Sequence, residues 1–217
     1  MKYAIGIIIL ISISAGSYVG YNKYRDYKFL EDTRPFIKNS SLRLQNVLHY
    51  EIEDSESITF KELFEKLEES ISETDKNILQ VQTLSTPNQK SLSEPLENYL
   101  KCIQELERTI LSKYRKILAL SLSLDRLNES LEELKASSSY SFDIYKKSSD
   151  KALKEAEKSQ AESKEALESV VVALKKLKAL VVSLQENQET DSLVDMTTLD
   201  LALKKNTSSA ESEKYKK

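Results

Sequence analysis

The chain has 217 residues, of which 40% are hydrophobic and 31% charged, and its formal net charge is −3. That is apolar content for one or two packed domains and excludes a chain disordered throughout, while the near-neutral balance leaves no basic footprint for nucleic acid. All three glycines, Gly6, Gly16 and Gly20, precede Tyr21; without glycine the body lacks the residue that hairpins and phosphate-cradling loops use at positive φ, and an all-α fold of long helices is expected.

Residues 4–19 read AIGIIILISISAGSYV and carry no charge. Tyr3 precedes the run, and Tyr18, Tyr21 and Tyr24 lie at or after its end, where aromatic rings sit at a membrane interface. As a helix, residues 3–21 would span roughly 28 Å, close to the hydrocarbon thickness. The reading is an N-terminal transmembrane helix, with residues 1–28 forming a single-pass signal-anchor and juxtamembrane segment. A cleaved signal peptide is the rival, with Lys2 as its charged start and Ser12-Ile13-Ser14 or Ser14-Ala15-Gly16 as cleavage site. The apolar character running past those sites favours the anchor. For orientation, Lys23, Arg25 and Lys28 would hold the body in the cytoplasm, whereas a short positive N-terminus resembles an export signal; the body is read as extracytoplasmic. Ser12, Gly16 and Gly20 fall four apart and form a small-residue stripe, a candidate transmembrane packing face.

Residues 29–188 are expected to form an antiparallel helical bundle or coiled-coil body, with helices at about 36–52, 59–84, 93–135 and 142–188. Pro35 is read as opening a fresh helix. Residues 53–57 are a polar break. Thr59-Phe60-Lys61-Glu62 matches a capping box. Phe60, Phe64, Leu67, Ile71, Thr74, Ile78 and Val81 then alternate by four and three as a heptad seam. From residue 51 to 75 there are ten acidic residues against Lys61 and Lys66.

The third helix, with Pro95 in its first turn, has the most regular pattern. One seam position reads Leu96, Ile103, Ile110, Ile117, Leu124 and Leu131; the other reads Tyr99, Leu106, Lys113, Leu120, Leu127 and Leu134. Lys113 is the one charge in it, and Leu100, Leu111, Tyr114, Leu118 and Leu122 widen the face beyond a two-stranded seam. After Ser137-Ser138-Ser139 a fourth helix carries a seam of Ser149, Ala152, Ala156, Ser159 and Ser163, followed by Ala166, Val170, Ala173, Leu177, Leu180 and Leu184. The matched lengths of these two helices favour a hairpin over one continuous rod, with Leu127 near the level of Ser149 and Leu106 near Val170. Residues 189–217 are read as a short helix and a disordered polar tail from Lys204.

No catalytic constellation emerges. His49 is the one histidine and Cys102 the one cysteine; they read as a helix-face residue and a small buried side chain. No intrachain disulfide can form. Phosphate-loop, dinucleotide, zinc-protease and EF-hand patterns are absent from the sequence. Asn39, Asn128 and Asn206 begin glycosylation patterns. The expectation is a protein that is not an enzyme, with no cofactor and no metal. Its partners would be membrane lipid through the N-terminal helix and proteins, or itself, through the others, with no nucleic acid and no small molecule evident. The role that follows is a membrane-anchored scaffold or tether. The alternatives are a sensor bundle, which polar groups inside the seam would favour, and an exported soluble bundle.

Overall fold

The structure, a computed structural model, describes residues 2–53, 59–138, 141–187 and 193–212, and for 2–19, 53, 186–187 and 210–212 it describes the backbone alone. Among the described residues there are five α-helices and no strand: α1 (Lys2–Glu53), α2 (Phe60–Leu84), α3 (Lys90–Ala136), α4 (Phe142–Asn187) and α5 (Met196–Ser212), with one 3-10 turn at Pro87–Gln89. No helix among the described residues is long and apolar enough to cross a membrane. The apolar run of residues 4–19, on which the expected anchor rests, has its side chains outside the described residues.

Side-chain bonds fix the direction of every helix. Asn77 donates to Ser40 and Lys66 to Tyr50, which sets α2 antiparallel to α1. Ser70 donates to Glu107 and Gln82 to Glu97, setting α3 antiparallel to α2. Lys176 pairs with Glu105 and Lys116 with Glu162 across α3 and α4. The residue numbers in those two pairs centre on 139–141, so the chain folds back at the serines, in the expected register to within a helical turn. Lys178 pairs with Asp200 on α5. Asn206 bonds Glu51, leaving α5 parallel to α1.

Three expectations are corrected. Pro35 does not open a helix but sits inside α1. A proline there removes one backbone bond and costs ~3 kcal/mol. The packing stripe runs through it without a break, with Phe29, Thr33, Ile37, Ser40, Ser41, Leu44, Val47 and Leu48 all buried. Thr33 further braces the turn before the proline by donating to the carbonyls of Phe29 and Leu30. Secondly, α3 begins at Lys90 rather than near residue 93, because Gln89 accepts from Thr86 and thereby tightens the turn before the helix. Thirdly, the polar tail is helical through Ser212, with Val194, Leu199, Ala202 and Asn206 buried; α5 is a member of the bundle. Of the expected polar break at 53–57, Glu53 is the last residue of α1 and 54–57 lie outside the described residues, as do the last residues, 213–217.

The Thr59 capping box forms as read, with Glu62 N–H donating to Thr59 Oγ1 and Thr59 N–H to Glu62 Oε2. Of the seam that follows, Leu67, Thr74, Ile78 and Val81 are buried as expected, while the other side is turned by one position: Leu63, Ser70 and Asn77 are buried, whereas Phe60 is exposed and Phe64 and Ile71 are partly buried.

The core occupies the half of the molecule where all five helices overlap. It holds Leu44, Leu48, Leu67, Tyr99, Leu100, Ile103, Leu106, Ile110, Leu174, Leu177 and Leu199. At one end Gln89 donates to the Arg25 carbonyl, so α1 leaves the bundle there, N-terminal to Phe29. At the other end α1, the start of α2 and the end of α5 finish near the level of Lys113 to Leu118. Among the described residues only α3 and α4 continue, as a two-helix finger about 25 Å long.

Candidate functional site

Two features have the character of a site: a ladder of buried polar groups inside the bundle and the bare face of the finger. The ladder begins where α5 is joined. Val194 N–H donates to the Tyr99 hydroxyl at 2.9 Å, and Tyr99 lies 2.8 Å from Ser41 Oγ. Ser41 gives its one proton to the Ile37 carbonyl, so Tyr99 donates to Ser41. This chain joins the α5 junction, α3 and α1, and burial pushes the Tyr99 phenol up to about 12 against the opposing effect of both bonds. At the same level, Ser40, the neighbour of Ser41 on α1, accepts from Asn77 at 2.9 Å.

Next comes Glu107, which is fully buried on α3. Ser70 donates to its Oε1 at 2.5 Å. Its Oε2 and the nearby Thr74 Oγ1 are both buried outside hydrogen-bond geometry. Burial raises this carboxyl to about 7; the Ser70 and Thr74 hydroxyls and Arg43 oppose the rise, and Asp75 adds to it. A carboxyl taken out of water favours its neutral form unless several donors hold the charge. Glu107 has one strong donor.

The ladder ends at the mouth of the bundle. Lys113 Nζ donates to Glu51 Oε2 at 2.7 Å and to Asn206 Oδ1 at 3.0 Å. Asn206 Nδ2 donates to Glu51 Oε2 and to the Ala202 carbonyl. α1, α3 and α5 therefore meet on one charged triad, in which Glu51 Oε1 has no partner. A buried pair of this kind contributes little net stability but is costly to break. It fixes which helices meet and at what height.

Beyond it the packing changes in kind. On the finger the buried residues are Ser123 and Ser130 of α3 and Ser149, Ala156 and Ser163 of α4. The small side chains are the most buried part of the contact between the helices, and Leu120, Leu127 and Leu134, which alternate with Ser123 and Ser130 in steps of three and four, are half-buried beside them. Leu124 is 45% exposed, Leu131 38% and Leu153 46%, while Ile117, Leu120, Leu127 and Leu134 are partly covered. The expected α4 seam is confirmed; on α3 it meets Ser123 and Ser130 together with the Leu120, Leu127 and Leu134 side of the leucine stripe, and it leaves the Leu124 and Leu131 side exposed. The opposite flank is a polar groove of about 380 Å³ lined by Ala119, Leu122, Arg126, Glu155, Lys158 and Glu162 among others.

Of the small-residue stripe expected to pack in a membrane, Gly20 is exposed, and a methyl added to it would meet no atom within 4 Å among the described residues. The side chains at Ser12 and Gly16 lie outside those residues. His49 is exposed on α1. Cys102 is buried, and burial raises its thiol pKa, which disfavours the thiolate. Asn206 is buried in the triad, so its glycosylation pattern is inaccessible in the folded chain. Among the described residues no three metal-ligating side chains come together.

Sequence reasoning located Lys113 but missed Glu107, Glu51 and Asn206. A signal for Glu107 was present: it lies seven residues after Leu100 and four before Leu111, on the same apolar face. Glu51 and Asn206 had none, because their burial depends on α5 docking. Comparison with known proteins finds no matching family model, curated protein or solved structure.

Proposed function

We propose that the chain is a membrane-anchored helical tether that holds a protein-binding finger at a set distance from a bilayer. The observation that carries this reading is the layout of α1 and the finger. One unbroken helix, Lys2–Glu53, joins the apolar run of residues 4–19 to the bundle, and the α3–α4 finger leaves the opposite end. From Gly20 to Glu51 the helix rises roughly 47 Å, and the finger adds about 25 Å. The chemistry is positioning: the charged triad and the polar ladder hold the helices in one register, and the finger presents leucines to a partner.

The test is fractionation of the full chain expressed in cells. Retention in the membrane pellet after carbonate washing, with the N-terminal residues intact, is the expected result. A soluble form whose sequence begins near Ser17 would replace the tether with an exported bundle. The polar ladder favours one second reading, a sensor in which a change at Glu107 shifts α2 against α3. A shift in helix spacing between acidic and basic pH, read by labels on those helices, would support it over the tether.

A further inference from the structure

The finger leaves one side of a regular heptad stripe, Leu124 and Leu131, exposed, with Leu120, Leu127 and Leu134 half-buried beside it, and the shape of the molecule decides what can reach it. Leu120, Leu124, Leu127, Leu131 and Leu134 fall within about 80° of the α3 circumference. Continued toward the bundle, the same stripe becomes Tyr99, Ile103, Leu106 and Ile110, which are fully buried under α1, α2 and α5. Among the described residues those three helices stop near the triad and form a shelf; past the shelf Leu124 and Leu131 stand exposed. A partner lying alongside in the same direction would collide with them. A partner arriving from the free end would not.

We propose that the occupant is the finger of a second copy, docked antiparallel on a two-fold axis perpendicular to the finger, so that each finger fills the notch above the other's shelf. The proposal deepens the tether reading by naming its partner, and it rests on that reading only for where the two N-termini go.

Four observations carry it. First, the stripe is self-complementary. The finger runs from about residue 120 to 138, and full overlap places Leu124 opposite the partner's Leu134 and Leu127 opposite the partner's Leu131. That is the a-to-d alternation of an antiparallel heptad seam. Secondly, the residues on the outer edge of the stripe, Ser121, Asn128 and Lys135, bring no like charges together in that register. Thirdly, α4 carries Leu153 on the same flank, and the same axis places Lys146 within about one helical turn of the partner's Glu157. Both side chains are exposed, and neither makes an ion pair among the described residues. Fourthly, a face of roughly 25 Å by 20 Å on each copy buries about 1,000 Å² in total, the size at which specific interfaces begin. The joined particle would hold the two Gly20 residues roughly 140 Å apart at opposite ends, a geometry suited to bridging two facing membranes.

The experiment uses the full chain in mild detergent. Light scattering at about 50 µM should give twice the protein mass of 24.8 kDa. Leu124→Glu with Leu131→Glu should give one, at unchanged far-UV circular dichroism; Leu124→Ser with Leu131→Ser should do the same with a milder change. Nitroxide labels, on a Cys102→Ser background, then read the direction. Asn128→Cys should show an intermolecular distance of about 10–20 Å, and Ser91→Cys should show none below about 80 Å. A monomeric native chain, a dimer untouched by both leucine pairs, or a short distance at Ser91 would overturn the proposal. Dissociation by Gly16→Ile with Gly20→Ile, with the leucine pairs silent, would overturn it in favour of pairing through the N-terminal helix. Carbonate washing of the Leu→Glu variant keeps the two readings apart: a monomer that stays with membranes leaves the tether standing even if the native chain proves monomeric.

Discussion

Replacing Glu107 by Gln should make the bundle more stable at alkaline pH and remove most of one pH dependence. Glu107 is fully buried, with Ser70 as its single hydrogen-bond donor, and its carboxyl is raised from 4.5 to about 7. The folded state therefore binds this proton more tightly than the unfolded state. By linkage the protonated form gives its full stability below about pH 4.5, and that stability is lost as pH rises through 7. The loss is worth roughly 3 kcal/mol above pH 8. Glutamine has the same shape and never ionises. Its carbonyl can accept from Ser70, and its amide can donate toward Thr74, the hydroxyl left without a partner; a second amide hydrogen left unpaired offsets about 1 kcal/mol. Urea unfolding followed at 222 nm from pH 5 to pH 9 should show near-equal stability at pH 5 and an advantage of about 2 kcal/mol for Glu107→Gln at pH 8.5. The neighbouring charges, Arg43 on α1 and Asp75 on α2, are common to both proteins, so the difference between the curves isolates Glu107. Parallel curves, or a variant less stable at every pH, would refute the view that Glu107 is neutral in its buried site.

Two further changes probe the packing. Ile110→Ala, in the five-helix core, should cost ~2–4 kcal/mol, whereas Leu127→Ala on the finger should cost less than about half of that; equal losses in urea titrations would mean the finger leucine is covered within one chain. Lys113→Met leaves Glu51 buried without its partner and should cost ~3–5 kcal/mol, while Lys113→Met combined with Glu51→Leu should recover most of the loss; a double variant as unstable as the single one would show that the triad stabilises through more than paired charge.

Much of the fold was legible because long helices advertise themselves through period and missing glycine. The capping box at Thr59, the fold-back at the serines and the α4 seam all follow from local pattern, and the structure agrees on each. What was illegible depended on tertiary contact. Pro35 looks like a helix start when read locally, but the buried stripe from Phe29 to Leu48 holds one helix through it. Leu67, Thr74, Ile78 and Val81 of the α2 seam were legible, but its other side was read one position off because that side uses Ser70 and Asn77, polar residues whose partners, Glu107 and Ser40, are 37 residues away in sequence. The leucines of the finger were read as core for the opposite reason: heptad pattern shows that a stripe is built for burial, but not what buries it.

The finger should also be the least protected part of the hairpin in a single chain. The residues buried in its inter-helix contact are serine and alanine, with Leu120, Leu127 and Leu134 only half-covered, and each such small residue buries far less apolar area than leucine. A fully buried leucine contributes ~2 kcal/mol by removal from water, and a serine contributes nothing comparable. Ser123 and Ser130 spend their hydroxyls on the carbonyls of Leu120 and Leu127, within their own helix, so they add no bond across the pair. Close approach of small side chains supplies dispersion contact and straightness, but stability reaches the finger mainly through continuity with the core. Local opening should begin at the turn and run down both helices toward the triad. Amide exchange followed by mass spectrometry under native conditions should give a gradient: slow over residues 99–111 and 170–184, and progressively faster from 120 to 136 and from 160 back to 142. At concentrations where the antiparallel dimer forms, the finger amides should slow and the core amides should not. A monomer with a flat profile across α3 would refute the argument, because it would show that the small-residue seam holds its two helices as firmly as the leucine core holds five.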